Sequence, residues 1–287
     1  MLKRAKPLLG TIVEIRADCD DEASFALATD AAFARIERIH RAMSFHEQTS
    51  DVQAITRCRA GESVVVNLDT WHVLQLALQI ERDSDGVFNP SIAPTLVRHG
   101  LLPLPTEAVD MPNDTTLASS IRLDESSRVY VLQPVWIDLG GIAKGYAVDA
   151  ATEALIARGV THGAVNAGGD LRVFGDTEQP IRLRHPSTPS QSIAVANLRA
   201  LSCATSGDYF LPNRSLDGAL TAIVGLRTPE AKKHASVTVI APRCAVADAL
   251  TKVLWLSGIN SAISRAVLSK YEAQAVALDA HGSATYA

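Results

Sequence analysis

The stretch Trp136-Ile-Asp-Leu-Gly-Gly-Ile-Ala-Lys-Gly-Tyr-Ala-Val-Asp149 is followed, one helix length later, by Ala164-Val-Asn-Ala-Gly-Gly-Asp-Leu-Arg-Val-Phe174. In the first segment a short apolar run, read as a strand, enters Gly140-Gly141 and then a helix with Lys144 in its first turn. Glycines let the backbone approach a phosphate, and a helix start offers unpaired N–H groups with a partial positive charge that Lys144 reinforces. In the second segment Gly168-Gly169 lies between the strand-like runs 163–166 and 171–174, a tight turn that sets Asn166 and Asp170 near each other. Two glycine turns joined by one helix could hold both ends of a nucleotide. A glycine pair before a helix is also ordinary turn chemistry, so the weight rests on the combination. It is neither a Walker loop nor a GxGxxG fingerprint.

The 287 residues, 47% hydrophobic and 20% charged, suffice for a large core, and residues 1–287 are read as a single domain or two intimately packed lobes. A net charge of −4 gives no electrostatic footprint for nucleic acid. No run approaches the roughly 18 apolar residues of a membrane helix. Lys3, Arg4 and Lys6 precede Leu8-Leu9, but Pro7 and Gly10 interrupt the apolar run before it reaches the length of a signal-peptide core. Cys19, Cys58, Cys203 and Cys244 are scattered without CxxC spacing, which argues against a zinc site or a disulfide framework. The chain as written reads as cytoplasmic.

Along the chain, 11–17 alternates as a strand. Residues 22–43 place Phe25, Ala28, Ala32, Phe33, Ile36, Ile39 and Met43 at helical steps. Residues 44–54 read as a polar loop and 64–67 as a short strand. Asp69 or Thr70 is read as the cap of a helix that ends at Asp85-Gly86, with Trp71, Leu74, Leu78 and Ile80 inward. The proline-rich residues 101–113 read as a linker or surface excursion, and 120–123 with 129–132 as a hairpin. A helix over 143–158 stops at Gly159. Strands are expected at 181–184, 193–198, 220–225 and 237–240, helices at 244–256 and 261–271, and a last strand near 275–278. Strands and helices intermix without a βαβ rhythm, which points to an α+β fold with mainly antiparallel sheets packed with helices.

The two quoted segments resemble the paired signature of the FAD:protein FMN transferases, the ApbE-like family. Further stretches fit in the same order: Leu9-Gly-Thr11, Met43-Ser-Phe45 with Ser50-Asp51, Phe88-Asn-Pro90, Ala204-Thr-Ser-Gly-Asp-Tyr209, and Val237-Thr-Val-Ile with Ala247-Asp-Ala249. The resemblance spans nearly the whole chain. It implies an ApbE-like architecture and a phosphoryl transfer in which a Ser or Thr hydroxyl of a client protein attacks the FMN phosphorus of FAD and AMP leaves.

On that resemblance FAD lies between the 140–149 and 166–170 loops, with Phe45, Asp138, Gly140, Gly141, Lys144, Tyr146, Asp149, Asn166, Gly168, Gly169, Asp170, Ser206 and Tyr209 as its binding residues. Phe45 serves equally well in a core. Mg²⁺ is implied as the cofactor, held by Asp248, the Ala143 carbonyl and a Thr four residues after the Asp.

Here Lys252 stands at that Thr position and Thr251 comes one step earlier. Either Asp248 and Thr251, i,i+3 neighbours, share the metal, or the Lys252 ammonium supplies part of its charge; a surface i,i+4 ion pair is the plain alternative.

The family's His-x-x-Asp-Pro-x-Thr-Gly stretch aligns with residues 222–229, where Ala222 and Gly225 replace the His and the Asp. Asp208 and Lys252 are therefore the candidate catalytic groups, with His185 or a metal-bound hydroxide as other proton acceptors. These departures keep two further readings open, a paralogue that binds FAD without transferring it and a hydrolase giving FMN and AMP. Asp279-Ala-His-Gly-Ser-Ala-Thr285 loosely resembles a flavin acceptor motif, and reads equally as a turn between strands.

Overall fold

Alternation and period translate into a sheet faced by helices. The computed structural model describes residues 1–107, 110–188, 190–207 and 234–287. In chain order the elements are β1 (Leu2–Leu8), β2 (Thr11–Ala17), α1 (Glu22–Met43), α2 (Asp51–Arg57), β3 (Ser63–Val65), α3 (Leu68–Asp83), a 3-10 turn (Pro90–Ile92), α4 (Ala93–Arg98) and α5 (Leu117–Ser120). Then come β4 (Ile121–Leu123), β5 (Arg128–Val131), α6 (Ala143–Ile156), β6 (Gly163–Ala167), β7 (Asp170–Phe174), β8 (Glu178–Arg184) and β9 (Ser192–Arg199). The chain closes with β10 (Ser202–Gly207), β11 (Ser236–Ala241), α7 (Cys244–Ser257), α8 (Ala262–Lys270), β12 (Gln274–Leu278) and β13 (Ala284–Tyr286).

Among the described residues the main sheet has eight strands in the order β1-β2-β6-β7-β10-β11-β12-β13, and every pairing is antiparallel. A small sheet β3-β5-β4 and the hairpin β8-β9 stand beside it. This is the α+β, mainly antiparallel class that the sequence implied.

One face of the main sheet carries α1, α6 and α7. Phe33, Ile36 and Ile39 of α1, Val148 and Leu155 of α6, and Leu250 and Leu254 of α7 meet Val13, Ile15, Val165, Ala204 and Val239 in one buried cluster. The β8-β9 hairpin covers the other face, where Leu171, Val173 and Cys203 pack against Ile181, Leu183 and Leu198. Strand β7 shows how this places the site. Leu171 and Val173 turn to the hairpin, so Asp170, Arg172 and Phe174 turn to the helices. Two charged side chains are thereby fixed under α6.

Several local readings need correction. Residues 136–139 join no sheet. Trp136, Ile137 and Leu139 are buried outside any ladder, with the Asp138 N–H donating to the Pro90 carbonyl at 2.8 Å, so their apolarity reports burial rather than a strand. The polar segment 44–54 contains the start of α2, capped by Ser50, whose Oγ accepts from Gln53 N at 3.1 Å. The buried apolar residues of α2 are only Val52 and Ile55, beside the polar Gln53 and Thr56, too few to show a period.

Helix α3 is capped by Asn67, which accepts from Asp69 N at 3.0 Å, not by Asp69 or Thr70. Its buried stripe is Val73, Leu74, Leu76, Ala77 and Ile80, with Trp71 and Leu78 half-buried at the edges. Asp279 makes the turn before β13, accepting from His281 N at 2.8 Å and Ser283 N at 2.9 Å. The strand expected at 220–225 lies outside the described residues.

Candidate active site

Helix α6 begins without a side-chain cap, directly after Gly140 and Gly141. In its first turn the Ala143 N–H is taken by the Leu139 carbonyl at 2.8 Å, and one residue of helix α7 and one of strand β7 come to meet the next two positions. The Gly145 N–H donates to Asp248 Oδ2 at 3.1 Å, and the Lys144 ammonium pairs with Asp170 at the head of β7. Asp248 Oδ1 pairs with Lys252, whose Nζ also donates to the Asp248 carbonyl at 3.1 Å. Thr251 Oγ1 donates to the same carbonyl at 2.6 Å and bonds to Ser206 Oγ of β10 at 2.7 Å. The Lys252 stem runs beneath the glycine loop: a Cβ added at Gly141 would lie 3.5 Å from Lys252 Cε and 3.5 Å from Phe88 Cε2.

The result is two lysines facing two buried aspartates. Burial pushes Asp170 up to about 6, assisted by the nearby Asp248 charge and opposed by Lys144 and Lys252. Burial works the same way on Asp248, but Lys144, Lys252 and the Gly145 N–H outweigh it and hold it below the usual carboxylate range. Burial disfavours the Lys144 charge, yet Asp248 and Asp170 hold it above its ordinary value. Asp248 is thus the acid held charged, and Lys144 stays a cation. Asp138 sits at the edge of the group, accepting from Gly140 N at 3.1 Å; burial raises its pKa against the pull of His46 and Lys252.

Lys144, Asp170, Ser206, Asp248, Thr251 and Lys252 are brought together, with the Lys252 stem against Gly141. The Asp248–Lys252 pair is an i,i+4 pair but not a surface one, since Asp248 is fully buried. Ala143 opens α6 directly beside Lys144.

Other named residues have different surroundings. Phe45 is buried in the core. Asn166 accepts from Gly169 N at 3.0 Å within its own turn, where Gly168 has φ 63° and lies against Thr11. Asp149 accepts from Cys244 N and Ala245 N, both at 3.0 Å, and from Arg172 at 2.9 Å, so it caps α7 and braces it to α6. Tyr146 donates to Asp69 at 2.9 Å, and Asp69 in turn pairs with Arg35. Tyr146 and Asp149 also line a cleft of about 530 Å³ with His72, Arg82 and Arg243. Asp208, Tyr209 and residues 222–229 lie outside the described residues, and His185 stands half-buried just after β8, where it accepts from Thr188 N at 3.2 Å.

Two contributors escaped the sequence reading. Gly145 supplies the N–H to Asp248, and a Cβ there would collide with the Cys244 carbonyl, so α6 and α7 cross at this glycine. A glycine inside the first turn of an otherwise Ala-rich helix was the available signal. Arg172, alternating with Leu171 and Val173, was the other.

The profile of the ApbE family matches residues 9–277. The chain belongs to the ApbE family. Among its relatives, the FAD:protein FMN transferase of Haemophilus influenzae is 24% identical over 268 residues, covering 85% of this chain and 77% of that one. That of Treponema pallidum is 25% identical over 289 residues, covering 89% and 78%. The flavin transferase ApbE from Vibrio cholerae has the same fold, with a TM-score of 0.80 at 21% identity over 100% of this chain and 96% of that one. The ApbE protein of Thermotoga maritima gives a TM-score of 0.80 at 26% identity over 99% and 96%. Among the described residues no helix is long and apolar enough to cross a membrane.

Proposed function

We propose that this chain transfers FMN from FAD to a Ser or Thr hydroxyl of a client protein and releases AMP. The observation that carries the reading is the Lys144–Asp170–Asp248–Lys252 group, whose Lys252 stem lies against Gly141, in a chain whose relatives are named for this reaction. The acceptor oxygen forms a bond to the FMN phosphorus. The bond from that phosphorus to the bridging oxygen breaks, and the bridging oxygen leaves with its electron pair on AMP. The hydroxyl proton passes to a base, for which Asp208 is the candidate. Such a reaction needs positioning and charge compensation more than covalent chemistry. The close backbone approach that Gly141 allows and the start of α6 would seat the pyrophosphate, and Lys144 and Lys252 would offset its charge.

The donors implied for Mg²⁺ fit that ion poorly. Asp248 and Thr251 are both sealed, with Asp248 engaged by Lys252 and Gly145 and Thr251 by Ser206. Among the described residues no three His, Cys, Asp or Glu side chains converge as a metal-binding group. No step is therefore assigned to a metal.

The test is to incubate the chain with FAD and an extract of its host cells, then separate AMP, free FMN and flavin that stays on polypeptide after denaturation. AMP matched by polypeptide-bound flavin is the expected result. AMP matched by free FMN would make the chain a hydrolase, and bound FAD without AMP would make it a flavin-binding protein only.

A further inference from the structure

We infer that the Lys252 ammonium occupies the place and the charge role of a divalent cation, so that this chain handles its phosphate-bearing ligand without a metal. The identity of that ligand rests on the flavin reading above, whereas the cation does not.

The Asp248 and Thr251 oxygens that a metal would need here already face other partners. Asp248 Oδ1 faces Lys252 Nζ, and Oδ2 faces the Gly145 N–H at 3.1 Å. The Asp248 carbonyl accepts from Lys252 at 3.1 Å and from Thr251 at 2.6 Å, and the Thr251 hydroxyl is held by Ser206 at 2.7 Å. Mg²⁺ demands a near-octahedral oxygen shell at roughly 2.0–2.1 Å and keeps several waters. Asp248 and Thr251 are both 0% exposed, and Lys252, with 19% of its side chain exposed, stands between Asp248 and solvent.

Charge leads to the same place. Two ammonium groups already face Asp170 and Asp248, so a further dication would enter beside two cations in a low-dielectric setting. A lone ion pair on a helix surface would not require this burial. The ammonium is also aimed usefully. Its stem passes 3.5 Å from where a Gly141 Cβ would be, which sets the head group beside the glycine loop and the start of α6. An ammonium has three donors; Asp248 takes two through its Oδ1 and its carbonyl, leaving the third for a phosphate oxygen.

Mn²⁺ alone serves as the metal probe, because the free ion is read directly by electron paramagnetic resonance. The native chain is expected to leave the free Mn²⁺ signal undiminished, and its FAD dissociation constant, read by flavin fluorescence, should agree within about twofold in EDTA and in Mg²⁺. Lys252→Thr exchanges the ammonium for an oxygen donor, so it should gain Mn²⁺ binding and a Mg²⁺-dependent FAD affinity. One Mn²⁺ bound per native chain and lost in Asp248→Asn would overturn the inference. So would a native FAD affinity that rises about tenfold or more with Mg²⁺. The native measurements decide whether or not Lys252→Thr folds. Absence of FAD binding under all conditions would sink the flavin reading alone, since the Mn²⁺ titration needs no flavin.

Discussion

The backbone N–H of Gly145 donates to the Asp248 carboxylate at 3.1 Å, joining the first turn of α6 to the second turn of α7 across 103 residues of sequence. The contact exists because the two helices cross where one of them has no side chain. A Cβ at Gly145 would come within 2.7 Å of the Cys244 carbonyl carbon and 2.9 Å of Ala245 Cα. Both neighbours are backbone and cannot swing away.

Gly145→Ala should therefore push α6 off α7 and lower stability by about 1–3 kcal/mol, the usual cost of overpacking. Urea unfolding reads this directly. A midpoint equal to that of the native chain would mean that the helices do not cross at this residue.

The Lys144–Asp170 pair makes a pH-dependent prediction. Burial raises Asp170 to about 6, above its ordinary 3.8, so the stability tied to its protonated form is full below about 3.8 and is lost as pH rises through 6. Above that window Lys144 is the partner that keeps the ionised form tolerable. Lys144→Met should cost about 2–3 kcal/mol near pH 8, less than for a fully sealed pair because Lys144 keeps some exposure, and less again near pH 5, where Asp170 is protonated and only the Asp248 charge still misses its lysine. Equal losses at both pH values would show that Lys144 acts through packing or through the constant charge of Asp248, and not through Asp170.

Asp149 tests how α7 begins. No side chain of α7 or of its Arg243 cap residue caps the helix, and the Asp149 carboxylate accepts its first two N–H groups from a different helix. Asp149→Ala should cost about 2–3 kcal/mol, from two unsatisfied N–H groups and an Arg172 without its closest carboxylate. Asp149→Asn, with one oxygen left, should cost less. If the two variants unfold together, the carboxylate is not the acceptor that matters.

Much of this arrangement was legible from pattern. The 22-residue α1 shows its period because seven apolar positions repeat on one face, and the turn at Gly168-Gly169 shows itself because only glycine adopts φ values of 63° and 107° comfortably. What escaped were features that need a partner far away in the chain. Residues 136–139 look like a strand because burial on all sides selects the same residues as a sheet does. Asp149 looks like a ligand because one helix cannot reveal that it caps another. The Asp248–Lys252 spacing suits a solvated i,i+4 pair equally well, and only the packing of α7 against β10 and α6 makes it a buried one. Gly145 carries no sign of its neighbour until the helices cross.

The most direct test of the site is the FAD dissociation constant of Gly141→Val beside that of the native chain. Gly141 differs from Gly145 in a useful way, because its missing Cβ would meet Lys252 and Phe88 only at 3.5 Å, ordinary contact distance, and its φ lies outside the left-handed region. The Cβ itself therefore fits, and the melting temperature measured alongside shows that the variant stays folded while its two methyl groups block the approach of a pyrophosphate to the loop beside Lys252. The expected result is FAD binding weakened by about a hundredfold, ~2.7 kcal/mol, in a chain that remains folded. A folded Gly141→Val protein that binds FAD as tightly as the native chain would contradict the placement of the flavin nucleotide at this loop.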